Sequence, residues 1–255
     1  MKMIASQPLG LSGYKMSFPK CILYVDPYLS NNVEVVEGPG LRRQFHLPFS
    51  PSQVTDAQWV LVTHIHMDHC DLFSLVPISI ASPQCKFICP SECVNALEAA
   101  GVPKERLIVA PETWMEIGMD TQLIAVPAAH PTIHRNEAGN LSCVGYVIEH
   151  EGRRFYHAGD TSVEKELIDR LDSLAPIDVA FIPLNERNYY RESCGIIGNM
   201  TVREAFQLAT DLKAKTFVPM HWDMFAPNCV YREEIELLYR LIQPPFDLQF
   251  YPESI

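Results

Sequence analysis

The segment Thr63-His64-Ile65-His66-Met67-Asp68-His69-Cys70-Asp71 packs three imidazoles and two carboxylates into eight residues. Neutral imidazole and carboxylate are the usual ligands of zinc and similar divalent ions. The chemistry on offer is therefore that of a divalent metal site. The groups His64, His66, Asp68 and His69 stand at i, i+2, i+4 and i+5. That is not the i, i+4 helical face of an H-E-x-x-H site. An extended or tightly turning chain can point His64 and His66 at one ion and Asp68 and His69 at a neighbouring one. Cys70 beside them reads as packing. The isolated His46 and His150 read as surface residues.

Such a loop needs a rigid support on each side. The apolar run 59–62 reads as a strand that delivers it. Further strands are expected at 21–25, 86–89, 122–126, 143–149, 153–157, 179–182 and 216–219, from their apolar, β-branched and aromatic content. Residues 91–100 read as a helix, with Ser91 as N-cap and Gly101 then Pro103 as its stop. Thr161 with Glu164 reads as a capping box for a helix reaching Leu171. Thr201 with Glu204 makes a second, followed by the stripe Val202, Ala205, Phe206, Ala209 and Leu212. Residues 232–242 form a last amphipathic helix, with acids in its first turn and Arg240 in its last. The result is a mixed α/β (α+β) chain of sheets faced by helices. No linker or repeat divides it, so residues 1–255 read as a single domain.

Composition excludes several classes. With 255 residues, 47% hydrophobic and 20% charged, the chain is an ordinary globular protein, not a disordered, fibrous or coiled-coil one. Its net charge of −11 argues against duplex DNA and anionic membranes as partners. A small anionic substrate held by a local cationic site is still compatible with it. The stretch 73–81 is broken by Ser and Pro well short of a membrane span. Residues 1–8 hold no continuous apolar region like that of a signal peptide. A cytoplasmic location with reduced thiols is expected. Cys85, Cys89 and Cys93 lie four apart without a C-x-x-C pair and read as small buried thiols.

The pattern His64-x-His66-x-Asp68-His69 after a strand resembles the metallo-β-lactamase-fold hydrolases. The resemblance extends along the chain through Val126-Pro127-Ala128-Ala129-His130, Tyr156-His157-Ala158-Gly159-Asp160-Thr161 and Val218-Pro219-Met220-His221. It implies an αββα sandwich of two packed sheets flanked by helices, with every ligand leaving the carboxyl end of a strand along one rim. It also implies two divalent ions per chain, Mn2+ or Zn2+. His64, His66 and His130 would hold the first, Asp68, His69 and His221 the second, with Asp160 bridging. His134 competes with His130. His130 is preferred because it directly follows its strand and the Pro-Ala-Ala turn.

Segments outside the ligands resemble the L-ascorbate-6-phosphate lactonase family of that fold. They include Gly101-Val102-Pro103-Lys104-Glu105-Arg106, Asn185-Glu186-Arg187-Asn188-Tyr189-Tyr190-Arg191, Gly198-Asn199-Met200-Thr201 and Pro219-Met220-His221-Trp222. The better-known members have a longer N-terminal segment. The chemistry that follows is hydrolysis by a metal-bridging hydroxide, formed because two ions lower the pKa of a shared water toward roughly 7. The hydroxide attacks a carbonyl such as that of a phosphorylated sugar lactone, with Asp68 as the catalytic proton acceptor. Arg187 and Arg191 are candidates for a substrate phosphate. Asn199, at the start of the following helix, could help hold an anion. Tyr189 and Trp222 are candidate pocket walls, and His157 a supporting partner of Asp160. The partner expected is a small anionic substrate, with no nucleic acid, no membrane, and room for a homo-oligomer. The competing readings are a phosphodiesterase acting on a small cyclic phosphodiester, and a metal-binding scaffold without activity.

Overall fold

A computed structural model describes residues 4–255. Residues 1–3, at the head of the segment read for a signal peptide, lie outside the described residues. Thirteen strands among the described residues form two sheets. The first orders β1 (Ala5–Gly10), β2 (Gly13–Phe18), β3 (Cys21–Val25), β4 (Trp59–Leu61), β5 (Lys86–Cys89) and β6 (Leu107–Val109) in sequence. It opens as an antiparallel meander and turns parallel from β3 onward. The second holds β7 (Met115–Gly118), β8 (Thr121–Pro127), β9 (Val144–His150), β10 (Arg153–His157), β11 (Val179–Pro183), β12 (Thr216–Met220) and β13 (Asp247–Leu248). Antiparallel pairing joins β7 through β10, and parallel pairing joins β10 through β13.

Period-two alternation explains why the first sheet is covered twice. Leu23, Val25, Leu61 and Ile88 pack into the core shared with the second sheet. Tyr24, Val60, Val62 and Phe87 turn the other way. There they meet α2 (Leu72–Ala81) and α3 (Ser91–Ala99), through Leu75, Ile78, Cys93 and Leu97. The outer cover of the second sheet comes from α4 (Lys165–Asp172), α6 (Val202–Asp211) and α7 (Arg232–Ile242). Strand β11 is buried at every position, as a strand covered on both faces must be. The short helices α1 (Asn32–Glu37) and α5 (Tyr189–Ser193) stand at the loop end of the sandwich. This is the αββα arrangement. No helix among the described residues is long and apolar enough to cross a membrane.

Two helix starts differ from expectation. Thr161 does not cap α4. Its hydroxyl accepts from Ala129 N at 2.8 Å and donates to Ser162 O at 2.8 Å, so α4 begins later, at Lys165. Ser91 is the first residue of α3 rather than its cap, and its hydroxyl accepts from the Asn136 amide at 2.8 Å. The Thr201–Glu204 box forms as expected, with Glu204 N donating to the threonine hydroxyl at 3.2 Å and Thr201 N donating back at 2.9 Å. His150 is not a surface residue. It is buried, shares a 2.8 Å hydrogen bond with Thr121 and lies against the Phe18 ring. Cys85, Cys89 and Cys93 are buried free thiols.

Candidate metal centre

Strands β3, β4, β8, β10 and β12 all end on one rim, and each releases a side chain there. The loop after β4 turns tightly, with His69 N and Cys70 N both donating to His66 O. That turn brings His64, His66, Asp68 and His69 to one place. Asp71 leaves the group. It caps α2, where its carboxylate accepts from Phe73 N and from the Ser74 hydroxyl. His130 follows β8, Asp160 follows β10 and His221 follows β12.

The seven groups fall into two overlapping sets. His64 Nε2 lies 3.0 Å from His66 Nδ1, and His130 Nε2 lies 3.2 Å from the same atom. On the other side, His221 Nε2 lies 3.4 Å from Asp68 Oδ2, and His69 Nε2 lies 3.9 Å from it. Asp160 stands between them. Its Oδ1 is 3.4 Å from His69 Nε2, and its Oδ2 is 3.2 Å from His221 Nε2 and 3.8 Å from His130 Nε2. Three clusters close enough to share an ion result, namely His64–His66–His130, His64–His69–Asp160 and Asp68–His69–His221. His134 stays outside, sharing a 3.1 Å hydrogen bond with Ser142.

The donor set fits a cation. Buried His69 Nε2 and Asp160 Oδ1 have no hydrogen-bond partner in the protein, although buried polar atoms almost always find one. The electrostatics point the same way. Burial pushes the Asp160 carboxyl up, but His221 and His69 outweigh it and hold the group well below the usual carboxylate range. Asp68 is likewise raised by burial, yet His69 and His221 bring it down to about 2. Burial lowers His69 and His221, but the surrounding carboxylates lift them to about 9 and about 10. Burial and neighbouring histidines keep His64 well below its ordinary value, and burial takes His130 to about 4. His64 and His130 are thus held neutral and ready to donate. The acid-rich half draws positive charge from whatever source it finds.

The supports of the ligands include a residue the sequence reading missed. Asp26, just past β3, is fully buried. Its Oδ1 accepts from Thr63 N at 2.8 Å, and its Oδ2 accepts from the Thr63 hydroxyl at 2.7 Å and from His69 Nδ1 at 2.7 Å. A strand-end Asp-Pro pair was the available signal. Gly159 is required on the other side. It has φ of +62°, and a Cβ there would lie 2.8 Å from both Thr63 Cβ and Val144 O. His157 does not touch Asp160. It donates from Nε2 to Ser12 O at 2.7 Å and accepts from Gly159 N at 3.3 Å, which ties the Gly-Asp turn to the β1–β2 hairpin.

The proposed substrate residues do not gather at the site. Arg191 is buried and committed, donating to Glu186 O at 2.8 Å and Cys229 O at 2.6 Å. Arg187 is half-exposed, 3.9 Å from Glu192, and lies outside the walls of the cavity over the histidines. Tyr189 points to solvent. Trp222 is buried against Phe250 and Tyr251. Asn199 is buried and donates to Asn185 Oδ1 at 2.7 Å. The cavity, about 420 Å3, has His66, Asp68, His130, Asp160 and His221 among its walls. Among the described residues, no lysine or arginine lines it.

Residues 23–222 match the family model described as "Beta-lactamase superfamily domain". The chain is 29% identical over 240 residues to a "UPF0173 metal-dependent hydrolase" of Pyrococcus abyssi, covering 92% of each chain. It is 26% identical over 258 residues to a "Probable L-ascorbate-6-phosphate lactonase UlaG" of Salmonella choleraesuis, covering 96% of this chain and 68% of that one. Among solved structures it resembles a metallo hydrolase of the archaeon Ignicoccus hospitalis, with a TM-score of 0.73 at 18% identity, covering 100% of this chain and 98% of the other.

Proposed function

The chain belongs to the β-lactamase superfamily of metal-dependent hydrolases, and from that premise we propose that it is a dinuclear hydrolase that opens a lactone or a related carboxylic ester. The observation that carries this reading is the pair of ligand sets meeting at Asp160. His64, His66 and His130 would hold one divalent ion, Asp68, His69 and His221 a second, and Asp160 would serve both. When bound, the ions supply a water activated at neutral pH and Lewis acidity toward a carbonyl oxygen.

The chain's own residues do the rest. Asp26 fixes His69 with Nδ1 as donor, so that Nε2 presents its lone pair to the site. Asp68 lines the cavity beside His221, with its Oδ2 3.4 Å from His221 Nε2, and its carboxylate can take the proton released as water attacks. The apolar walls limit the water that competes for the reacting carbonyl. No serine or cysteine nucleophile is needed. Cys70, beside His69, is buried against the α2–α3 core.

The test is metal analysis after reconstitution with Mn2+ or Zn2+, followed by a screen of the loaded protein against lactones, cyclic nucleotides and thioesters. Two ions per chain and ring opening of lactones are expected. At most one ion per chain would remove the dinuclear site. Turnover confined to cyclic nucleotides would favour the phosphodiesterase reading.

A further inference from the structure

Away from the histidines, the cavity is walled by Val33, Leu41, Ile65, Met67, Ile197 and Phe225. Its charged wall residue outside the ligand set is an acid, Glu37. The two arginines expected to hold a phosphate are elsewhere. Arg191 spends its guanidinium on two backbone carbonyls, and Arg187 sits beside Glu192 outside the lining. An anionic group lodged beyond the ligands would lose its hydration against apolar walls and an acid, with no cation in return.

The cavity wall carries two neutral amides, Asn228, whose unpartnered atom is the acceptor Oδ1, and Asn185, whose unpartnered atom is the donor Nδ2. Asn185 is fully buried. Its orientation is fixed from behind. Asn199 Nδ2 donates to Asn185 Oδ1 at 2.7 Å, Asn199 N donates to Asn185 O at 2.9 Å, and Arg187 N donates to Asn199 O at 3.1 Å. Gly198 allows this close pairing, since a Cβ there would lie 2.3 Å from Glu186 O. A fixed amide N–H on a buried wall suits a neutral carbonyl or ether oxygen.

We infer that the cavity takes an uncharged substrate bearing an apolar group next to its electrophilic carbonyl, with Asn185 Nδ2 donating to a substrate oxygen. The inference rests on the hydrolase reading for the reaction. It rests only on the walls for the selectivity.

The experiment compares the metal-loaded protein on two matched γ-lactones, one carrying a short alkyl chain and the other a phosphoryloxymethyl group at the same carbon. The alkyl lactone should show kcat/KM at least about tenfold higher, the scale on which an apolar pocket discriminates. The corresponding lactams, which the ions cannot turn over readily, are titrated calorimetrically and should rank in the same order. Ile197→Arg, on the exposed side of the wall, should close most of the gap. Turnover of the phosphorylated lactone as fast as, or faster than, the alkyl one would overturn the inference and leave the hydrolase reading intact. Preferential binding of the alkyl lactam without turnover of either lactone would sink the hydrolase reading and leave the inference standing. No binding of either lactam, or an Ile197→Arg variant with unchanged preference, would overturn the inference.

Discussion

Asp26, just past β3, and His69, in the loop after the neighbouring parallel strand β4, are joined by a 2.7 Å hydrogen bond in full burial. The carboxylate dictates which imidazole nitrogen faces the cavity. Asp26→Asn keeps the shape but removes the charge. We expect cation affinity to fall about 10- to 100-fold, as for other partners of ligating histidines. Competition against a chelator of known affinity would measure this, and an unaltered affinity would deny Asp26 that role.

Protonation should compete with cation binding. His69 and His221 are raised to about 9 and about 10, so both carry protons at pH 7 when their neighbouring carboxylates are not otherwise neutralised. Folding favours their protonated forms. That stabilisation is complete below the ordinary histidine value and is lost as pH rises through the 9–10 window. A cation needs both rings neutral, so its apparent affinity should climb with pH up to that window. About two protons per chain should be released on binding at pH 7. Calorimetry in buffers of different ionisation enthalpy counts them, and a release near zero would contradict the assignment.

His66 is the most exposed of the seven candidate ligands, while Asp160 is buried between the two sets. Both His66→Ala and Asp160→Ala should abolish hydrolysis. His66→Ala should keep the melting temperature of the cation-free protein nearly unchanged. An undiminished kcat in either variant would refute its place in the centre.

Arg191→Ala should act on stability rather than on substrate binding. It strips hydrogen bonds from the carbonyls of Glu186 and Cys229, at a cost of about 1–3 kcal/mol if both stay buried. A lowered melting temperature with unchanged KM is expected. Arg187→Ala should change neither. A KM rise confined to phosphorylated substrates in either variant would restore these arginines to the site.

The contrast between these residues shows what a sequence makes legible. His64 through His69 declare themselves because ligand chemistry is rare at that density, β5 because its content is apolar and aromatic, and α7 because its amphipathic period is clean. Helix α2 is hard to read, since Pro77 interrupts it and apolar residues surround it on nearly all sides. The β1–β2 hairpin hides behind Pro8 and Gly10. Thr161 has the right spacing for a cap, but a tertiary partner, Ala129 N, claims its hydroxyl. Arg191 looks like a loop cation because nothing local reveals that Cys229 O, far along the chain, will meet it. Asp26 shows only a strand-end Asp-Pro pair for a similar reason, since its partners Thr63 and His69 lie in the loop after the next strand over.

The two sheets share a core but no strand pairing. His64, His66, Asp68 and His69 hang from the first, and His130, Asp160 and His221 from the second. An ion held by ligands from both groups would therefore be a clasp across the open end of the sandwich. Occupancy should register as mechanical closure of the two layers. At a free-ion concentration a hundred times Kd, the linkage would add about 2.7 kcal/mol to the folded state. The rim loops after β4 and β10 should gain the most protection from hydrogen exchange, well ahead of the outer helices.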